Sequence, residues 1–252
     1  MDHMTSEWFL TGLMAVAAFL YASVGHAGAS GYLAAMALVG MSGAMMKPTA
    51  LILNIVVASV AFVQFYRARQ FSWPLLWPFA LTSVPLAYVG GMVPATGPIY
   101  RVLVGIVLLA SAGKLIWDAR SRSTFPAAAD GSRLPRWWVA AGLGGIIGCA
   151  AGLTGTGGGI FLSPLLVLMG WGRTQQSGGV AAAFILLNSV AGLFGHGLAL
   201  AELSPWMPVW MFVVLAGGTA GSYLGSRRAT PEIFKRLLAI VLVVAGIKLI
   251  VS

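Results

Sequence analysis

The sequence predicts an all-α integral membrane protein of two inverted repeats, each a glycine-tipped helical hairpin plus three full transmembrane helices. Three observations predict it. Hydrophobic residues make up 59% of the 252 residues and charged residues 8%, against about a quarter charged in soluble domains. No water-soluble fold of that length hides so much apolar surface, so the solvent is lipid. Ile99–Ile116 aligns without a gap on Ile233–Ile250, with 8 identities in 18 positions. Earlier in each half, Gly25, Gly28 and Gly31 fall at the spacing of Gly152, Gly155 and Gly158.

The first repeat covers residues 1–117, a linker 118–136, and the second repeat 137–252. The first stretch, Trp8–Val24 and Tyr32–Met46 around the tip Gly25–Gly31, is not read as a signal peptide. The residues before its apolar run carry Asp2 and Glu7 and no lysine or arginine, whereas a signal peptide starts with positive charge. Three spanning runs follow, Pro48–Tyr66, Pro74–Val93 and Ile99–Trp117. The second half opens with Trp137–Ala151 and Ile160–Trp171 around the tip Gly152–Gly159. As helices these arms reach about 22 and 18 Å, short of a hydrocarbon core of about 30 Å. Each pair is therefore a hairpin whose tip stops inside the membrane, or else two short spans. Gln176–Gly197, Trp206–Gly225 and Glu232–Val251 complete the second repeat.

Charge counting selects the topology. Were each glycine-interrupted stretch one long span, the two sides would carry 6 and 7 cations, with no bias. As hairpins, they leave Arg67, Arg69, Arg120, Arg122, Arg133, Arg136, Arg173, Arg227, Arg228, Lys235 and Arg236 on one side. Lys47 and Arg101 remain on the other, 11 against 2. Positive residues favour the cytoplasmic side, so the linker lies inside and both termini outside. An odd number of full spans per half inverts the second half relative to the first. The net charge of +9 is thus an orientation signal rather than a nucleic-acid footprint. Lys114 and Lys248, near span ends, read as snorkelling side chains, and Trp8, Trp73, Trp77, Trp137, Trp138, Trp171, Trp206 and Trp210 as an interfacial belt.

The glycine tips carry the chemistry. A helix that begins inside the membrane leaves its first N–H groups without intrahelical partners and presents its positive dipole end. Glycines let such backbone approach a ligand closely and adopt turns with positive φ. Two related apolar halves with broken helices outline a secondary transporter, and broken helix N-termini are anion sites. The second tip offers Thr154, Gly155, Thr156, Gly157, Gly158 and Gly159, followed by Ser163; the first offers Ser23, His26, Gly28, Ser30 and Gly31. Asn54 and Asn188, polar within long spans, are substrate donors or inter-helix glue. Gly90/Gly91 and Gly217/Gly218 read as packing positions. Gly155-Thr-Gly-Gly-Gly159 is no nucleotide loop, because it lacks a following Lys-Ser/Thr and no strand precedes it.

Gly155-Thr-Gly-Gly-Gly-Ile-Phe-Leu-Ser-Pro164-Leu165, supported by Phe194-Gly195-His196-Gly197, resembles the TauE/SafE sulfite exporter-like permeases. In the first half Ala37 stands where Pro164 stands in the second, which moves the expected site toward the second tip. The resemblance implies export or uptake of small sulfur-containing or carboxylate anions such as sulfite, sulfoacetate or related organosulfonates, across a bacterial inner membrane.

The 6 carboxylates all lie at ends or in loops, and His26 is the one ionisable group expected at depth. That favours uncoupled anion movement by alternating access around the tips, with proton coupling through His26 as the alternative. A channel-like or accessory subunit is the other competitor. An enzyme is not expected, since 3 histidines and peripheral carboxylates form no catalytic cluster. Cys149, the sole cysteine, excludes disulfides and cysteine metal clusters. No metal, cofactor or nucleic acid is expected; the partners are a small anion and the bilayer, and a homo-oligomer is compatible with the sequence.

Overall fold

In a computed structural model, residues 3–120, 134–197, 203–227 and 232–251 are described. Most of the linker, residues 121–133, lies outside them, as do Arg228, Glu202 and the side chains of Lys114, Lys235 and Arg236. All regular structure among the described residues is α-helical. The first half holds α1 (His3–Ala22), α2 (Ala29–Leu38), α3 (Gly43–Arg67), α4 (Trp73–Met92) and α5 (Gly97–Arg120). The second holds α6 (Trp137–Thr154), α7 (Gly159–Leu168), α8 (Thr174–Gly195), α9 (Met207–Arg227) and α10 (Glu232–Val251). Five of these, α3, α4, α6, α8 and α9, are long and apolar enough to cross a membrane.

Both hairpins pair a long arm with a ten-residue arm, α1 with α2 and α6 with α7. The expected arm Tyr32–Met46 ends early, at Leu38. Gly40 turns the chain at φ 79°, and Ser42 opens α3 in extended conformation, so Met45 and Met46 belong to the next helix. The arm Trp137–Ala151 runs on to Thr154 and is long enough to span.

Stripes of small residues set how the helices meet. Gly144, Gly148 and Gly152 of α6 lie on the backbone carbonyls of Phe79, Ser83 and Ala87 of α4, where no Cβ would fit. Gly217 and Gly221 of α9 lie likewise on the carbonyls of Ala15 and Phe19 of α1, and Gly225 on that of Ser23 just past its end. Glycine at every fourth position brings backbones together, which replaces the hydrophobic drive that lipid does not supply. The numbering rises together in each pair, so α6 runs parallel to α4 and α1 to α9. Gly91 abuts Gly192 and Gly218 abuts Val57, so these too are packing positions.

Trp8, Trp73, Trp77, Trp137 and Trp138 are exposed on the outside of the bundle, as lipid-facing anchors are. Trp210 departs from the belt reading. It is fully buried, and its Nε1–H donates to Thr11 Oγ1 at 3.1 Å, so it is a core residue joining α9 to α1. Lys248 stays exposed near the end of α10, and its Nζ donates to the carbonyl of Leu38 at 2.9 Å and so caps α2.

Candidate functional site

The two tips meet. At the first, α1 ends at Ala22, and Gly25 (φ 80°) and Gly28 (φ 105°) turn the chain into α2. At the second, Gly155 (φ 79°), Gly157 (φ 72°) and Gly158 (φ 78°) carry it from α6 into α7. These left-handed conformations strain any residue with a Cβ, so the glycines are a backbone requirement. His26 reaches from the first tip to the second. Its Nε2 lies 3.0 Å from the carbonyl of Gly159 and 3.0 Å from Ser163 Oγ. A carbonyl only accepts, so Nε2 carries the proton and donates to Gly159.

The second tip presses against α3 and α8. A Cβ on Gly157 would lie 2.7 Å from Ile185, 2.9 Å from Ser189 Oγ and 3.0 Å from Asn54 Nδ2. Asn54 Nδ2 in turn donates weakly to Ser189 Oγ at 3.4 Å. Asn54 and Asn188 are both fully buried, yet Asn54 Oδ1 and both polar atoms of Asn188 have no partner among the described residues. Buried amide atoms normally find partners, and leaving one unmade costs about 1–3 kcal/mol. Thr154 Oγ1 donates to the Ala150 carbonyl at 2.7 Å, so the Thr156 hydroxyl, 2.9 Å away, donates to Thr154.

The first tip is more self-contained. Ser30 Oγ donates to Tyr21 OH at 2.7 Å, Ser23 Oγ to the Leu20 carbonyl at 2.7 Å, and Tyr32 OH to the Ala27 carbonyl at 2.6 Å. Gly28 lies against the Tyr32 ring and Gly31 against Ala17 and Tyr21. The hydroxyls expected to face a ligand here are turned to protein partners. His26, Gly157, Gly159 and Ser163 form the junction, with Asn54 beside it; Ser23 and Ser30 stand back from it.

Two residues of this region escaped the sequence reading. Lys47, counted there as a loop cation, sits in the second turn of α3 and is fully buried. Its Nζ donates to the carbonyls of Gly90, Gly91 and Val93 at 3.3, 2.9 and 2.8 Å, closing the end of α4. Gly155 packs on Lys47 itself, with a Cβ there 3.3 Å from Lys47 Cγ, so the ammonium's stem runs beside the second tip. No carboxylate pairs with it among the described residues. Ser189, the partner of Asn54, is the other.

Long apolar helices, glycine-striped contacts and two broken-helix tips meeting in a buried polar junction define a multi-pass membrane protein of the transporter class. The family described as sulfite exporter TauE/SafE matches residues 9–249. A probable membrane transporter protein of Sinorhizobium fredii is 37% identical over 235 residues, covering 93% of this chain and 94% of its own. The chain belongs to the TauE/SafE family and is a membrane transporter of that type. No solved structure matches it.

Proposed function

We propose that the chain carries small sulfur-containing or organic anions, such as sulfite or organosulfonates, by alternating access around the two glycine tips. One observation carries the reading: the fully buried Asn188 leaves its Nδ2 donor without a partner among the described residues, one position before Ser189, whose hydroxyl stands against Gly157. A junction of two helix N-termini with a spare amide donor on the adjoining helix suits an oxyanion, since N–H groups and helix dipoles favour negative charge. The buried Lys47 beside Gly155 adds a positive charge that no described carboxylate cancels. Outward movement of an anion is favoured by about 2.3 kcal/mol per charge per 100 mV of inside-negative potential, so export needs no second ion.

The halves, on this reading, are inverted repeats with both termini outside a bacterial inner membrane. The parallel course of α1 with α9 and of α6 with α4 supports that reading, because each hairpin's long arm then borders the second full helix of the other half. Flux of sulfite and sulfoacetate in proteoliposomes containing this chain alone tests the carrier. Saturable flux supports it, and linear flux points to a channel. A cysteine at Ser121 should resist a membrane-impermeant label applied from outside; labelling overturns the orientation.

A further inference from the structure

We propose that the wedge between the ends of α3 and α9 holds the head group of an anionic phospholipid, with Arg67 and Arg227 on either side of its phosphate. The two helices touch where Val57 meets Gly218 and where Gln64 Nε2 donates to the Thr219 carbonyl at 3.1 Å. Towards their C-terminal ends a cavity of about 560 Å³ lies between them, walled by Val60, Val63 and Arg67 of α3 and by Tyr223, Ser226 and Arg227 of α9.

Its chemistry is graded along the helices. Along α3 the wall runs from Ser59 to Arg67, with Ala68 just past the helix end, about 12 Å of rise. The two guanidiniums stand at the end where both helices finish, and the valines lie deeper. Arg67 has no hydrogen-bond or ionic partner among the described residues. Arg227 donates to Tyr223 OH at 2.6 Å and stacks over that ring at 4.1 Å. This fixes its plane at the mouth and leaves most of its five N–H donors for a ligand. Among the described residues no acidic side chain lines the cavity.

The position favours a lipid over a free oxyanion. Val63 is 43% exposed and Tyr223 52% exposed on helices long enough to span, so the opening faces the bilayer. A soluble oxyanion would use the mouth alone. A phospholipid uses both zones, with its phosphate between the arginines and an acyl chain over Val60 and Val63. Basic pockets between helices at the head-group level take such lipids, and each cation there is worth roughly a fivefold gain in binding. The assignment does not depend on what the tips carry.

The test uses the full chain purified in a neutral detergent. Phosphatidylglycerol, phosphatidylcholine and inorganic phosphate are titrated separately, with bound lipid read by native mass spectrometry and stability by thermal unfolding. Phosphatidylglycerol should bind and raise the midpoint, and phosphatidylcholine should not. The pair Arg67→Gln and Arg227→Gln together should weaken phosphatidylglycerol binding about 30-fold, while the remote Arg136→Gln leaves it unchanged. Should the double variant fold poorly, Val63→Trp fills the apolar zone with both charges kept, and should also lose the lipid. Unchanged phosphatidylglycerol binding in either variant overturns the proposal. Equal stabilisation by inorganic phosphate alone overturns it too, in favour of a free-anion site.

Discussion

His26 and Ser163 stand 137 positions apart in the chain and 3.0 Å apart in the fold. With the Gly159 carbonyl, also 3.0 Å from His26 Nε2, that contact is how the first tip holds the second. Any motion that separates the tips must break both contacts with one ring. The histidine is therefore either a latch or a proton carrier, and substitution can separate the two. Glutamine keeps an N–H near the position of Nε2 but does not titrate. Efflux from loaded vesicles driven by an inside-negative potential should survive His26→Gln within about tenfold, since one rearranged hydrogen bond changes the balance by roughly 0.5–1.5 kcal/mol. Collapsing a pH gradient at constant potential should change little. Accumulation driven by the pH gradient alone, and abolished by His26→Gln, would make His26 the proton site.

Lys47 offers a sharper contrast between charge and packing. Lys47→Met keeps the stem's volume and leaves three carbonyls at the end of α4 without their donor. The expected loss of stability is about 3 kcal/mol, read by thermal unfolding in detergent. Lys47→Gln restores part of the capping without the charge. It should recover stability while anion affinity stays reduced. If both properties recover together, the ammonium is only a helix cap.

The all-helical membrane fold and the glycine tips could be read from the sequence because their signals are collective. Apolar composition and glycine spacing each draw on many residues, and no tertiary contact is needed to see them. Lys47 could not be read that way. A lysine between Met46 and Pro48 looks like an edge residue, because burying an ammonium makes sense only once the carbonyl end of α4 is known to reach it. Trp210 failed for the same reason, since its indole N–H is satisfied by Thr11, 199 positions away. In the site, His26 was legible as a lone titratable group on a glycine tip. Ser189 was not, being one small hydroxyl within a long helix until the fold sets it beside Asn54.

Gly157 should tolerate nothing larger. Its φ is 72°, and an added Cβ would meet Ser189 Oγ at 2.9 Å and Asn54 Nδ2 at 3.0 Å. Gly157→Ala should cost about 1–2 kcal/mol from the left-handed backbone alone, and Gly157→Leu should abolish flux while the protein still inserts. Near-normal flux in the leucine variant would assign the glycine to packing only.

The two tip hydroxyls should behave differently. Ser30 donates to buried Tyr21, so Ser30→Ala should lower stability by about 1 kcal/mol and leave anion binding unchanged. Among the described residues the Thr156 hydroxyl bonds only to Thr154 in the same tip, next to Gly157. Thr156→Val should weaken binding about tenfold or more, the range for losing a hydrogen bond to a charged group. Calorimetric titration with sulfite separates the cases. Equal effects of both variants on affinity would remove the asymmetry between the tips.

Asn188 gives the most direct test of whether the buried amides exist for a ligand. It is fully buried, and neither its Nδ2 nor its Oδ1 has a partner among the described residues. An unsatisfied buried amide is a stability cost, and replacing it with an apolar side chain of similar shape is neutral or favourable. Asn188→Leu should therefore leave the unfolding midpoint unchanged or raise it. Anion affinity should fall about tenfold or more, because the variant removes a donor the bound oxyanion would use. A structural amide gives the opposite pattern, with lower stability and unchanged affinity. Measuring both quantities on one preparation decides between them.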